Sequence, residues 1–408
     1  MRHRHLLLPV MVLVAAPLAA EPGLPDEAAV VAALSDHPSV VAARARVAAA
    51  RAEARAGAIG PQEVTFSGSY TKRSIDMAGK FDEFDVSLTR PFRLPGKGRL
   101  DRQIGEFGVV EAENLAEDAR HQAALVLMGH WFDWLGAAAE ARVDEQAVTN
   151  YEAALASIQR RVELRDAAQL DADQSAAALA GARALAEQSS GRERVARGRL
   201  EAHYPGLALP AEASEIPPPR LPDGGLEPLR AQVLANSHEI AAADAFARRM
   251  ASVADRAVRE RTADPSLGLR LFSERGGEER GVGLVFSLPL GGGHRAALAD
   301  RAAAQSSSAQ AEAALVRYNA HEVANADFAE ASYRYLGWQR AREGLEAQMA
   351  ALARLRRGNQ LGEIDLAALL LGERLVHDAY RAEAIARTEA LRAITKLRID
   401  SHELWLRD

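Results

Sequence analysis

Between residues 63 and 72 the chain alternates: Val64, Phe66 and Tyr70 fall on one parity, and Thr65, Ser67, Ser69 and Thr71 on the other. A period of two puts successive side chains on opposite faces of a strand, so the segment predicts a strand with one apolar face. Residues 82–91 repeat the pattern, with Phe84, Val86 and Leu88 against Asp85, Ser87 and Thr89, and Pro91 ends the run because proline cannot donate to a ladder. Ahead of the first strand, "LSDHPSVVAARARVAAARAEARAG" predicts a helix with Asp36 as its cap, Pro38 in its first turn and Gly57 at its end. Residues 97–200 keep a helical period with an interruption at "VELRDAAQLDAD", which predicts two long antiparallel helices. A helix of roughly 60 residues is about 90 Å long and needs packing partners along its whole length.

After a Pro-rich connector, residues 205–226, the order returns. "NSHEIAAADAFARR" matches "DHPSVVAARARVAA" at an offset of about 200 residues and is followed by strands predicted at 265–274 and 281–290. Leu267, Leu269 and Leu271 alternate with Gly268 and Arg270 in the third strand, and Val282, Leu284, Phe286 and Leu288 carry the fourth. Long helices follow over 294–400, broken at "RRGNQLGEIDLAAL". The strand-to-helix turns correspond too: Pro91, Gly96, Gly98 and Arg99 in the first half match Pro289, Gly291 and Arg295 in the second. Residues 21–204 and 227–408 therefore read as two structural repeats, each a helix, a β-hairpin and a long helical hairpin. The fold class is mainly α with a small β part.

Composition agrees with long, closely packed helices: hydrophobic residues make up 48% of the 408, many of them Ala, while aromatics are only 5%. A net charge of −6 with interleaved signs gives no basic footprint, which argues against nucleic acid as a partner. Residues 1–20 have the layout of a secretory signal peptide: Arg2 and Arg4, an apolar run from Leu6 to Leu18, then Ala19 and Ala20 before Glu21, with cleavage expected near Ala20. The chain has no Cys, so it forms no disulfide and carries no lipid on a cysteine.

The two strand faces have different chemistry. A half-buried sheet covered by helices would use the apolar parity alone, whereas a membrane barrel uses both. In a barrel, Thr65, Ser67, Ser69, Thr71, Asp85, Ser87, Thr89, Gly268 and Arg270 face a water-filled lumen, and Val64, Phe66, Phe84, Val86, Leu88, Leu267, Leu269, Leu284 and Phe286 face lipid. Four strands are too few to close a barrel, so that reading demands an oligomer.

The duplicated order, the "RPFRLPGKGR" and "LPLGGGHR" turns and the "GNQLGEIDLAALL" segment resemble the TolC family of outer-membrane efflux channels, most closely its heavy-metal-efflux, CzcC-like branch. The resemblance covers nearly the whole chain after the signal peptide. It implies a homotrimer whose twelve strands form one barrel in the outer membrane of a Gram-negative bacterium. The helices then form a periplasmic tunnel docked to a periplasmic adaptor protein and an inner-membrane pump of RND type. The expected function is a passive export conduit for metal ions or small toxic compounds. Rival readings are a type I secretion duct and a soluble periplasmic coiled-coil interaction protein.

No catalytic, metal-binding or cofactor set is legible. In "HEVAN", Asn325 stands where a zinc helix needs its second His; "LPGKGR" lacks the upstream glycine and the hydroxyl residue of a phosphate loop; and the 11 His residues show no ligand spacing. Trp131, Phe132 and Trp134, and Tyr333, Tyr335 and Trp338, sit in corresponding places and read as packing between helices. Charges crowd the two helix breaks: Arg160, Arg161, Arg165, Asp166, Asp171 and Asp173 in the first, and Arg354, Arg356, Arg357, Glu363 and Asp365 in the second. Surface turns are often charged, and in the family these breaks form the periplasmic tip that narrows the tunnel and meets the adaptor.

Overall fold

The computed structural model describes residues 21–406; the signal segment and its cleavage site lie outside the described residues. Each repeat contributes two short helices, a hairpin and two long helices. The first has α1 (Glu27–Asp36), α2 (Pro38–Ile59), β1 (Thr65–Ile75), β2 (Gly79–Pro91), α3 (Lys97–Glu163) and α4 (Gln169–His203). The second has α5 (Glu227–Ala235), α6 (His238–Arg259), β3 (Ser266–Glu274), β4 (Glu279–Ser287), α7 (Gly293–Gln360) and α8 (Leu366–Asp400).

The predicted opening helix is α2, which ends at Ile59 with Gly60 as its C-cap, and a separate short helix, α1, precedes it. Asp36 ends α1, and the cap of α2 is His37, whose Nδ1 accepts the Ser39 N–H at 3.3 Å. Proline at the next residue forces His37 into extended backbone, which breaks the helix there. The second repeat breaks at the matching place, where Ser237 caps α6 through the Ile240 N–H at 3.2 Å.

The long hairpins are unequal. α3 and α7 run for 67 and 68 residues, about 100 Å at 1.5 Å per residue, whereas α4 and α8 have 35 each. A returning helix of half the length covers only the far half of its partner. The near half of α3 is covered by α2 and α6 instead, and that of α7 by α6. The result is a single layer of helices ordered α2-α3-α6-α7 beside the sheet and α4-α3-α8-α7 beyond it. Small residues let the helices approach closely: Ala43, Ala116, Ala123, Ala124, Ala299, Ala302, Ala309 and Ala313 are all buried. A Cβ at Gly105 would lie 2.8 Å from the Ala54 Cα, so α2 and α3 touch backbone to backbone.

A belt wraps the middle of this layer. Trp131, Phe132, Trp134, Leu127 and Leu135 of α3 pack with Leu200 and Tyr204 at the end of α4, Val30 and Leu34 of α1, Leu207 and Ile216 of the connector, and Trp405 near the C-terminus. The buried polar ends are satisfied: Trp131 Nε1 donates to the Gly23 carbonyl at 2.9 Å, and Tyr204 Oη to the Ala123 carbonyl at 2.6 Å. The corresponding core of the second repeat is smaller, with Leu226, Leu229 and Val233 against Ala324, Ala331 and Leu397. There Tyr333 is exposed, and Trp338 is buried with its Nε1 on Glu383 at 2.8 Å.

Candidate functional site

The four strands form one antiparallel sheet in the order β1-β2-β3-β4, in which β2 and β3 pair across the repeats. Register decides the faces. Phe66, Leu88, Leu269 and Leu284 are successive cross-strand partners, and so are Val86, Leu271 and Val282. The opposite parity aligns Thr65, Thr89 and Gly268 in one row, and Ser67, Ser87, Arg270 and Gly283 in the next. Each parity expected from the sequence therefore shares one face of one sheet. Thr71 and Ser69 lie opposite Glu83 and Asp85 on the same polar face. The β4 strand ends at Ser287, before Leu288 and two residues short of Pro289, so that proline stands in the loop and does not itself terminate the ladder.

Among the described residues, no α-helix packs across either face of this sheet. The apolar face is accordingly bare in one chain: Phe66 is 70%, Phe286 64% and Leu284 88% exposed. A continuous uncovered apolar face of this kind marks a surface made for another apolar phase or partner. Outer edges of β1 and β4 are also unpaired. Among the described residues, no helix is long and apolar enough to cross a membrane.

Where the sheet meets the helices, charges converge. Lys97, in the first turn of α3, is 1% exposed, and its Nζ donates to the Thr262 carbonyl at 2.7 Å and to Asp264 Oδ1 at 2.8 Å, with Glu260 Oε2 at 3.1 Å. Asp264 also accepts the Leu94 N–H at 3.0 Å. Arg256 and Arg295 reach Glu260, and Arg256 and Arg93 share Asp101 at 2.7 and 3.2 Å. Burial pushes the Glu260 carboxyl up, but hydrogen bonds from Arg256, Lys97 and Arg295 outweigh it and hold it at about 2. The first turn of α3 in one repeat is thereby locked to the α6–β3 connection of the other. The sequence pairing of Arg99 with Arg295 does not describe this joint: Arg99 is exposed, and the buried cation is Lys97. Gly96 has left-handed backbone, φ 89°, whereas Gly98 is helical, and the Arg93 guanidinium lies 3.1 Å from where its Cβ would be. At Gly291 a Cβ would meet the Arg261 carbonyl at 2.6 Å.

At the other end, both helix breaks close with the same hydrogen bonds. Asp166 N–H returns to the Arg161 carbonyl and Glu363 N–H to the Gly358 carbonyl, each across a left-handed residue, Arg165 at φ 60° and Gly362 at φ 76°. Asp365 caps α8 through the Ala368 N–H at 2.7 Å, and Asp171 reaches back to the Ala168 N–H at 3.1 Å. Among the other tip charges, Arg160 pairs with Glu163, Arg161 with Asp166 and Arg356 with Glu373, each within its own hairpin, while Asp173 accepts from Gln169.

Such a single-layer sheet continuing into 100 Å helices has known counterparts. Neither a family model nor a curated protein sequence matches the chain. Solved structures do. A membrane protein from Pseudomonas aeruginosa superposes with a TM-score of 0.78 at 19% identity, covering 96% of both chains. The outer membrane protein VceC of Vibrio cholerae gives 0.74 at 17%, covering 93% of this chain and 95% of that one. The outer-membrane channel MtrE of Neisseria gonorrhoeae, in its open state, gives 0.71 at 16%, covering 92% and 88%. The chain has the fold of the TolC-family outer-membrane channels. Among its neighbours in fold, CmeC of Campylobacter jejuni, OprN and MtrE are outer-membrane channels.

The fold also assembles groups that have no pattern in the sequence. Asp144 is fully buried between helices, with His377 Nε2 at 2.8 Å and Arg381 on its other oxygen. His121, His238 and His402 gather with ring centroids 5.6 and 4.9 Å apart, although no three described His, Asp or Glu side chains are placed to hold a metal ion. Asp327 and Asp400, 6% and 5% exposed, share the Lys396 ammonium. Tertiary structure completes each set, because Asp144 and His121 come from α3, Asp327 from α7 and His238 from α6, whereas His377, Arg381, Lys396 and Asp400 come from α8 and His402 from just beyond it.

Burial raises the Asp327 carboxyl to about 6, reinforced by the facing Asp400 and opposed by Lys396. An acid whose pKa rises on folding adds stability that is present at low pH and lost as pH climbs through the folded value. The melting temperature in detergent is therefore expected to rise as pH falls from about 7.5 to about 5.5, and Asp327→Asn should remove that increment. Scanning calorimetry of both proteins checks this; parallel pH profiles would contradict it.

Proposed function

We propose that three copies of this chain close a twelve-stranded barrel in the outer membrane of a Gram-negative bacterium and continue it as a helical tunnel in the periplasm. The assembly serves as the outer-membrane component of a tripartite efflux system. The observation that carries this reading is that the sheet and the helix layer are open on the same sides. β1 and α2 with α4 form one free edge, β4 and α7 the other, so a neighbour that pairs β4 with β1 also brings α7 against α2 and α4. Three such contacts give twelve strands, an even number within the range of membrane barrels. The apolar rows then meet lipid and the polar rows line the lumen. A soluble coiled-coil protein is disfavoured because no described helix covers the apolar face.

The conduit is passive and not enzymatic, driven by an inner-membrane pump through a periplasmic adaptor. A groove of about 590 Å³ between α3 and α7, floored by α8, offers that adaptor Tyr151, Met349, Leu352, Val376 and Tyr380, with the Arg356–Glu373 pair at one end. Cargo is metal ions or small toxic compounds, in keeping with the CzcC-like turns of the sequence. Asp171 and Asp365 each become a ring of three at the tip, where acidic rings favour cations and several weak ion pairs together hold a closed state.

Native mass measurement of detergent-extracted protein should give a trimer. Val86→Arg or Leu284→Arg should cost roughly 2–4 kcal/mol near the membrane midplane and reduce assembly, while Ser87→Arg should assemble; equal assembly of all three would reverse the face assignment. For the tip, single-channel conductance is compared among the parent, Asp171→Asn with Asp365→Asn, and Arg356→Ser with Arg357→Ser. Asn retains helix-capping ability, so the first pair removes charge with little loss of the caps. Altered conductance and cation preference are expected; identical values in all three would place the gate elsewhere.

A further inference from the structure

On the polar face of the sheet, two neighbouring rows differ from the rest. One runs Ser69, Asp85, Phe272, Gly281, and the next Ser67, Ser87, Arg270, Gly283. On β4 both rows present only glycine, and the bulky groups stand beside it on β3. These bulky groups lie down. A Cβ built at Gly281 would sit 2.3 and 2.4 Å from ring carbons of Phe272, so the ring rests on the backbone of β4. Phe272 is only half-exposed although no described helix covers this face, whereas Phe66, Phe84 and Phe286 of the other face are exposed. The Arg270 guanidinium stacks over the same ring at 5.4 Å from its centroid and ends on the Asp85 carboxylate. An anion, a cation and an aromatic ring thus cover one another along the wall from β2 to β4.

We propose that Asp85, Arg270, Phe272 and Gly281 form a flattened collar that keeps the outer part of the barrel lumen wide, with Gly281 as the position that permits it. The proposal rests on the barrel reading above and adds the residues that set the bore. Gly281 has no side chain, so the Phe272 ring can use its place. Any Cβ there competes with the ring, and the ring, being the far end of a flexible side chain, is the part that moves. With the β4 backbone beneath it, a displaced ring moves away from the sheet and into the lumen. Three copies would then raise three rings into the bore. The methyl of alanine is too small to narrow the lumen by itself, so Gly281→Ala acts through Phe272.

Because the chain has no cysteine, a single introduced thiol reports access cleanly. Thr89→Cys places it on the polar face four residues along β2 from Asp85, about 13 Å deeper toward the helices. Intact cells are treated from outside with a small charged methanethiosulfonate and with maleimide-polyethylene glycols of graded mass. The Thr89→Cys background, its Gly281→Ala variant and its Gly281→Ala with Phe272→Ala variant are compared. The small reagent should label all three, which shows that the thiol is reachable in each, and native mass measurement of each should give the trimer that shows assembly. The largest polymer that labels the background should fail to label the Gly281→Ala variant, and removing Phe272 as well should restore its labelling. One shared size limit in all three would overturn the collar while leaving the barrel intact. Failure of the small reagent to reach Thr89→Cys in the background would overturn the barrel reading and the collar with it.

Discussion

Among the described residues, the N–H and C=O groups along one edge of β1 and one edge of β4 have no ladder partner, and no helix covers either face of the sheet. In water an unpaired strand edge invites association, and in hydrocarbon each unsatisfied backbone group costs several kcal/mol. A lone chain of this shape cannot therefore be a finished membrane structure. Closure by further copies satisfies the edges, and lipid outside with water inside satisfies the faces. The same open sides run on into the helix layer, so the geometry that closes the barrel also closes the tunnel.

Such a closure demands that sheet and helices turn together, and the charged joint around Lys97 provides the coupling. A buried lysine is tolerable because the Thr262 carbonyl, Asp264 and Glu260 surround it, and the same acids are held by backbone and arginine donors. Removing one partner from such a buried set typically costs about 3–5 kcal/mol, because the remaining charge stays buried without compensation. The joint spans the repeats: α3 belongs to the first, and Thr262, Glu260 and Asp264 to the second. It fixes where the β2–α3 crossing of one repeat sits against the α6–β3 crossing of the other.

Much of this architecture is legible in the sequence because it depends on periodicity. Alternation at Val64 to Thr71 and at Phe84 to Thr89 gives both the strands and their faces, and the offset of about 200 residues gives the repeat. Local chemistry was harder to read. Pro38 marks a helix start, but Asp36 and His37 compete for the cap, and the geometry chooses His37. Lys97 looks like one more charge in a Gly-rich turn, since its partners lie more than 160 residues away. The tip aspartates, picked out for their charge, also cap helices, a role that Asp365 before "LAALLL" announces more clearly than Asp171, which acts from inside its helix. The flat ring of Phe272 could not have been foreseen, because it depends on which residue of β4 stands opposite.

The central claim is that β1 and β4 are edges in one chain and interior strands in the working assembly. Hydrogen–deuterium exchange on the trimer extracted from outer membranes tests it directly, because an amide in a closed ladder exchanges only when the ladder opens. The account predicts that the amides of β1 and β4 are as slowly exchanging as those of β2 and β3. Fast exchange along β1 and β4 beside a slow β2 and β3 would mean that the sheet stays open, and the barrel would have to be abandoned.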